Sequence, residues 1–532
     1  MKTKYYFPQK KVVTLLFIIV IIVFTLYIFP NEMGSENISM VQMFEPDEAV
    51  LIPYIYRMIE PAPNFYQFIH QFIFYDYYFY GFPFFAFSAL ILLPIQLLGQ
   101  LNNIPLVMVL LRQFISVLPM VAAILILVYM QDGFRTYRSP VLLVFLLSVP
   151  AVIQNNFWWH PDGLTLLFVA LTIFFLKKDN LQLGKYFLIA SIMTGLAASI
   201  KLVGFYFFLA IGLTLLLSLV YKRSSIIKIL AMGLVYILIM GFTYLVANPF
   251  LLSHWARDTF WGIFQKQTTL LSEGYGIEYA KGIMASTQIL EQYFGEVIFL
   301  LIIFGTSIWG AINGPQRLLH FLLIAWFIPI TVTVFFFTHF KFQYWLPVAI
   351  PLFSSLILLL PEKMEVPRQF SKANIFRTLL LFLILIQFVF FIRNDIKAYS
   401  NRITRGENNP RIEFFDVALK SLGKYAHLPL NVYYDYRLYV PPQEGWTTST
   451  TFDLLSYDFI ENGDFDVLFL LEQRIKDYLN PNAIGIEPAE FSKSKKFYQD
   501  AEIGEISGYR LLFHNSIGLV FIRDNLFINS EE

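Results

Sequence analysis

The sequence predicts a mainly α-helical, polytopic transmembrane bundle with a small α/β domain at its C-terminal end, and three observations carry that prediction. Of 532 residues, 57% are hydrophobic and only 14% charged, more apolar surface than a soluble domain buries. The apolar residues fall in long runs rather than in narrow amphipathic stripes. From residue 393 onward, charge and turn residues return and the apolar runs shorten to strand length. A formal net charge of +1 leaves no dominant basic face and argues against a nucleic-acid partner. The chain has no cysteine, which excludes disulfides, thiolate metal sites and a cysteine nucleophile.

The first apolar run, 12–29, follows the basic start MKTKYYFPQKK. It is long for the apolar part of a signal peptide and no small-residue cleavage site follows, so it is expected to be an uncleaved span. Ten further runs near 113–130, 140–157, 163–176, 186–200, 202–221, 226–247, 297–312, 318–337, 344–360 and 375–392 bring the expected number of spans to eleven. The run FPFFAFSALILLPIQLL, 82–98, either crosses or lies along the membrane. Charge separates the two cases, because cytoplasmic loops are enriched in Lys and Arg. If 82–98 does not cross, inner loops carry fifteen basic residues against seven outside: Arg57, Arg112, Lys201, Arg257, Lys266, Lys281 and Lys341. If it crosses, the balance becomes ten inside against twelve outside. The expected topology therefore has eleven spans, a cytoplasmic N-terminus, and a transmembrane domain over 1–392. Its outer loop, 30–112, holds juxtamembrane helices, and an extracytoplasmic α/β domain fills 393–532.

In that domain LNVYYDY (430–436), DVLFLL (466–471) and GLVFIRD (518–524) read as strands, and 411–425 has helical patterning. The aromatic stretch FYQFIHQFIFYDYYFYGFPFF, 65–85, is expected to form an interfacial belt rather than a sugar-stacking platform. No internal repeat is visible, unlike the inverted halves of many transporters.

Under this topology the unusual polar residues share the outer side. Asp47 and Glu48, in QMFEPDEAVL, follow the first span; His160 and Asp162, in NNFWWHPDGLT, lie between the third and fourth; Lys201 lies between the fifth and sixth. His339, Lys341 and Tyr344, in THFKFQYWLP, precede the tenth, and Arg112 precedes the second. A carboxylate at this level can take a proton from a hydroxyl or amine nucleophile. Lys201 and Arg112 can hold an anionic phosphate, one as a point charge and the other as a planar fork. Base and phosphate-binding cations together point to group transfer from a lipid-linked phosphate. Each residue also has a plainer role open to it. The acidic pair suits a helix first turn, HPDG suits a turn between spans, Lys201, His339 and Lys341 suit interface positions, and Arg112 suits structural pairing with a carboxylate.

The order of these features resembles the multispanning glycosyltransferases that use polyprenyl-phosphate sugars. This GT-C superfamily includes protein O-mannosyltransferases and the aminoarabinose transferase of lipid A. Its first outer loop carries an acidic pair, matched by Asp47 and Glu48; its second carries an Asp opening a span, matched by Asp162 in HPDGLTLLF. A Lys after a Gly-containing helix is matched by GLAASIKLVG with Lys201, and HFKFQYWLPVAIP approximates a later H-x-[RK]-Y segment, from which Lys341 and Gln343 depart. The resemblance covers about residues 1–395.

It implies an inverting transfer of a sugar from a polyprenyl-phosphate donor to a lipid, glycan or protein acceptor on the outer face of a bacterial cytoplasmic membrane. Asp47 is then the general base, Glu48 and Asp162 orient base or acceptor, and Lys201, aided by Arg112, His339, Lys341 or Tyr344, binds the leaving phosphate. His160 ligates a metal or donates to sugar or phosphate. No cofactor is fixed: Asp47, Glu48, His160 and Asp162 are the candidate ligands if a divalent metal takes part. The rival expectation is a transporter or flippase for a lipid-linked or anionic substrate, against which stands the clustering of charge at one outer level rather than at the bilayer midplane.

Overall fold

A computed structural model describes residues 9–273, 282–361, 372–480 and 488–528. Lys281 and most of the basic loop 361–374, which entered the charge balance, lie outside them. The chain divides into two compact units: Met1–Asn31, Tyr54–Gln265 and Lys281–Asn401 form the first, and Glu32–Pro53, Lys266–Ala280 and Arg402–Glu532 the second. The second unit thus takes in Glu32–Pro53, part of the 30–112 segment, as well as the C-terminal residues.

The first unit is a helical bundle, and the chain is an integral membrane protein. Helices occupy all eleven expected runs. Six segments are long and apolar enough to cross a membrane singly: Gln9–Glu32, Ile104–Asp132, Leu202–Val220, Ile226–Ala247, Arg317–Phe336 and Thr378–Thr404. Two bent pairs, Arg138–Leu147 with Pro150–Asn156 and Ile283–Phe294 with Val297–Asn313, raise the number to as many as eight. The remaining expected runs lie in the Asp162–Asp179 helix and in the shorter Lys185–Ile200 and Phe342–Leu358 segments. The run at 82–98 is the separate Phe82–Leu97 helix.

The apolar surface identifies the lipid side. On the Ile226–Ala247 helix only Ile229 and Tyr236 are buried, while Ile227, Leu230, Leu238 and Phe242 stand exposed, as side chains facing hydrocarbon would. The interior is dense. The Phe207 and Trp326 rings stack at 4.0 Å, Trp326 Nε1 donates to Pro347 O at 2.9 Å, and the Thr194 and Tyr236 hydroxyls share a 2.6 Å hydrogen bond. Such polar links join helices where lipid offers no hydrophobic drive between them. The aromatic stretch 65–85 splits in two: Phe65 and Tyr66 are exposed, whereas Tyr75, Tyr78, Phe84 and Phe85 are buried. Only its first half has the surface an interfacial belt needs.

The second unit contains a five-stranded sheet in the order β2-β1-β3-β5-β4, built from β1 (Leu430–Tyr434), β2 (Trp446–Ser449), β3 (Val467–Leu471), β4 (Tyr509–His514) and β5 (Gly518–Arg523). β1 runs parallel to β2 and β3, and β5 antiparallel to β3 and β4. Side chains alternate with period two. Val432, Tyr434, Val467, Phe469, Val520 and Ile522 pack under Phe414, Phe415 and Ala418 of the Pro410–Leu422 helix. Tyr433, Leu468, Leu470, Leu519 and Phe521 pack under Ile460, Ile475, Phe497 and Tyr498 on the other face. Both faces are therefore covered, which suits a sheet with a parallel half. The three strands read from the sequence are β1, β3 and β5; β2 (WTTS) has a single apolar residue, and β4 (YRLLFH) lacks a clean alternation, with its register shifted between Leu511 and Phe513.

Candidate functional site

The stretch NNFWWHPDGLT adopts its shape for local reasons. Pro150 starts a new helix after a 64° bend, and that helix ends at Asn156. Pro161, with φ fixed near −69°, then precedes the Asp162–Asp179 helix. Asp162 opens that helix, where the positive end of the helix dipole favours a carboxylate. Gly163 is needed here: a Cβ on it would lie 2.6 Å from Ser116 O. Ser116 belongs to the π-helix Arg112–Val117; its Oγ donates to Trp158 O at 2.5 Å and accepts from His160 N at 3.3 Å. A π-helical turn recurs at functional sites because it re-aims side chains.

Lys201 sits where the Lys185–Ile200 helix stops and the backbone turns extended. Gly204, whose Cβ would lie 2.2 Å from Ala198 N, lets the chain fold back on that helix end. Gly81 does the same from another element. Its N–H donates to Ile200 O at 3.2 Å, and a Cβ on it would lie 1.4 Å from Ser199 O. This docking brings Tyr80 to the site.

Four ionisable side chains then form one hydrogen-bonded row. The Tyr80 hydroxyl lies 2.7 Å from His160 Nε2, His160 Nδ1 bonds Asp162 Oδ2, and Lys201 Nζ donates to Asp162 Oδ1 at 2.6 Å. In the neutral imidazole the carboxylate requires the proton on Nδ1, so Nε2 accepts from Tyr80. The Trp158 ring stacks on His160 at 4.1 Å. Asp162 is fully buried, while the Lys201 side chain keeps 20% exposure. The Lys201 ammonium carries three N–H donors. Among the described residues its one hydrogen-bonded partner is Asp162, and it stands 5.4 Å over the Tyr344 ring.

The structure therefore brings together His160, Asp162, Lys201 and Tyr344, with the His339 ring 6.0 Å from that of Tyr344. Lys341 immediately precedes the Phe342–Phe353 helix, and its carbonyl accepts from Tyr344 N at 3.0 Å. Arg112 is fully buried and donates to Asn31 O at 2.6 Å. Asp47 and Glu48 belong to the second unit, in the first turn of the Pro46–Ile59 helix; Asp47 is exposed and Glu48 buried. Sequence reasoning missed Tyr80 and Ser116. Tyr80 was hidden in an aromatic run that looked interfacial, and the signal that could have exposed it was the adjacent Gly81 at a close backbone approach.

Among the described residues no three His, Asp or Glu side chains lie together in a way that could hold a metal ion. His160 has one ring nitrogen on Asp162 and the other on Tyr80, and both Asp162 oxygens are occupied. This donor set does not fit an inner-sphere metal.

No family model and no curated protein sequence matches the chain. Solved structures do. The crystal structure of ArnT from Cupriavidus metallidurans bound to undecaprenyl phosphate is similar over 96% of this chain and 97% of that one, with a TM-score of 0.50 at 11% identity. The archaeal oligosaccharyltransferase AglB from Archaeoglobus fulgidus, in complex with an inhibitory peptide and a dolichol-phosphate, is similar over 90% of this chain and 72% of that one, with a TM-score of 0.45 at 10% identity. The chain shares the fold of ArnT: a polytopic helical bundle followed by a C-terminal α/β domain.

Proposed function

We propose that this protein is an inverting glycosyltransferase that moves a sugar from a polyprenyl-phosphate donor to a lipid, glycan or protein acceptor at the outer face of the membrane. The observation that carries the reading is Lys201: a cation fixed by a buried carboxylate, partly exposed, with N–H donors beyond the one that Asp162 takes. That is what a phosphate-binding amine requires, a charge held in place without being fully neutralised. The fold shared with ArnT, solved with undecaprenyl phosphate, agrees with a lipid phosphate as ligand.

In this reading Asp47 accepts the proton of the acceptor hydroxyl or amine as that atom attacks the anomeric carbon from the face opposite the phosphate. The bond from C1 to the phosphate oxygen breaks as the new bond forms, and the electron pair leaves on polyprenyl phosphate. Lys201 stabilises the charge that gathers on the departing phosphate oxygen, with Arg112, His339, Lys341 and Tyr344 as further donors or walls of that region. Asp162 and His160 hold Lys201, and Glu48 orients the base or the acceptor.

The test is sugar transfer from a panel of polyprenyl-phosphate sugars by purified protein in lipid discs, with a membrane extract as acceptor source. Wild type transfers, and Asp47→Asn falls by about 10²–10⁴-fold, the usual worth of a general base. Full activity of Asp47→Asn sinks the base assignment. No transfer from any donor by folded wild type sinks the transferase reading.

A further inference from the structure

The second unit contains more than the sheet: Glu32–Pro53, the segment that carries Asp47 and Glu48, packs within it. Its attachments are specific. Ser39 Oγ donates to Val440 O at 2.9 Å, the Tyr434 hydroxyl at the end of β1 donates to Gln42 Oε1 at 2.8 Å, and Asn37 Nδ2 reaches the Tyr439 hydroxyl at 3.4 Å. Two arginines also grip the segment, Arg402 in the last turn of the Lys372–Thr404 helix and Arg405 just after it. Arg402 and Arg405 both donate to Glu45 Oε1, Arg405 at 2.9 Å. Arg405 also donates to Met33 O at 2.8 Å and to Gly34 O at 3.2 Å, and its guanidinium lies 4.4 Å from the Phe44 ring centre. Gly34, with φ +68°, has to be glycine, since a Cβ there would lie 2.0 Å from Arg405 Nε.

Glu45 links this grip to the acid. Its side chain takes both arginines, while its carbonyl accepts the N–H groups of Glu48 at 3.0 Å and Ala49 at 3.3 Å, fixing the first turn of the helix that bears Asp47. The Glu45 side chain keeps only 20% exposure and those of Arg402 and Arg405 5% and 11%. Such shielded, charge-assisted bonds hold geometry better than surface ion pairs do.

We propose that the C-terminal α/β domain, with Arg402 and Arg405, is the mount of the Asp47 segment, and that Glu45 is a positioning residue for the base. The proposal rests on the reading of Asp47 as general base and assigns the outer domain a part in catalysis. A shift of about 1 Å in a reacting group costs on the order of 10²-fold in rate, so a loosened mount acts on kcat rather than on donor binding.

The experiment uses the full-length protein in lipid discs and compares Glu45→Gln, Tyr434→Phe and Asp47→Asn with wild type. It reads kcat and donor KM for sugar transfer, together with amide hydrogen exchange over 38–53. Glu45→Gln is expected to lower kcat tenfold or more with donor KM unchanged and to raise exchange in 38–53. Tyr434→Phe, which keeps the ring, does the same to a smaller extent and covers the case in which Glu45→Gln fails to fold. Raised exchange with unchanged kcat, or a fall in kcat with exchange unchanged, overturns the positioning role. Full activity of Asp47→Asn overturns the base reading instead. The mount then stands if protection of 38–53 is lost in Glu45→Gln and falls if it is kept.

Discussion

Each unit contains a buried carboxylate bonded to a cation, and the two pairs end differently. In the bundle, Lys201 bonds Asp162 at 2.6 Å; in the C-terminal domain, Arg474 bonds Asp435 at 2.5 Å. Each aspartate engages both oxygens, Asp162 through His160 and Asp435 through Leu471 N at 2.7 Å. Arg474 is then used up by its own domain. It donates to the carbonyls of Thr451, Phe452 and Asp453, and only 5% of its side chain is exposed. It ties the loop after β2 to the ends of β1 and β3. Lys201 keeps more exposure and more free valence, on a shorter list of partners. The same ion-pair chemistry thus builds a brace in one unit and a presented charge in the other, and what separates them is how many of the cation's donors the fold consumes.

The difference is sharpest in Lys201→Met. Transfer is expected to fall by about 10²–10³-fold, as when one donor to a transition-state anion is removed. The stability loss should be smaller than for the Arg474–Asp435 pair, because Asp162 keeps its hydrogen bond to His160. Steady-state kinetics and thermal unfolding of the same preparation check both halves; a collapse of the fold with no specific kinetic effect would make Lys201 a brace like Arg474.

Arg474→Met should do the reverse. Leaving Asp435 buried without its partner costs about 3–5 kcal/mol, seen as early unfolding and proteolysis of the C-terminal domain. A variant that unfolds normally would show that the brace is dispensable.

Raising the pH sharpens the same contrast from the side of the C-terminal domain. Burial pushes the Tyr498 and Tyr433 phenols above their ordinary value of 10.0. Burial works against the charge on Arg474, but the Asp435 carboxylate holds it above the usual guanidinium range, so the pair itself does not titrate there. Because the folded state keeps phenolic protons that the unfolded state releases, this stability is present below pH about 10 and lost as pH rises above it. Denaturant unfolding followed alongside tyrosinate absorbance should show these phenols ionising only as the domain opens; ionisation without unfolding would contradict their burial.

The smallest effect is expected from Tyr80→Phe. Losing the hydroxyl on His160 Nε2 removes about 1 kcal/mol from the row that holds Lys201, or roughly fivefold in kcat/KM. An unchanged rate would detach Tyr80 and His160 from the function of Lys201.

Sequence and structure divide the account along physical lines. Composition and run length by themselves determined the membrane class, the helical runs and the change of character near residue 393, because hydrocarbon imposes a continuous apolar pattern that is local in sequence. They also named Asp47, His160, Asp162 and Lys201, since charge beside apolar spans is conspicuous. Tertiary structure alone decided that Asp162 faces inward and bonds two partners, that Tyr80 and Ser116 support it, and that Glu45, Arg402 and Arg405 bind one another across more than 350 positions of sequence. Hydrogen bonds between distant residues leave no period or spacing in a chain; only the packing that brings their atoms within 3 Å or so reveals them.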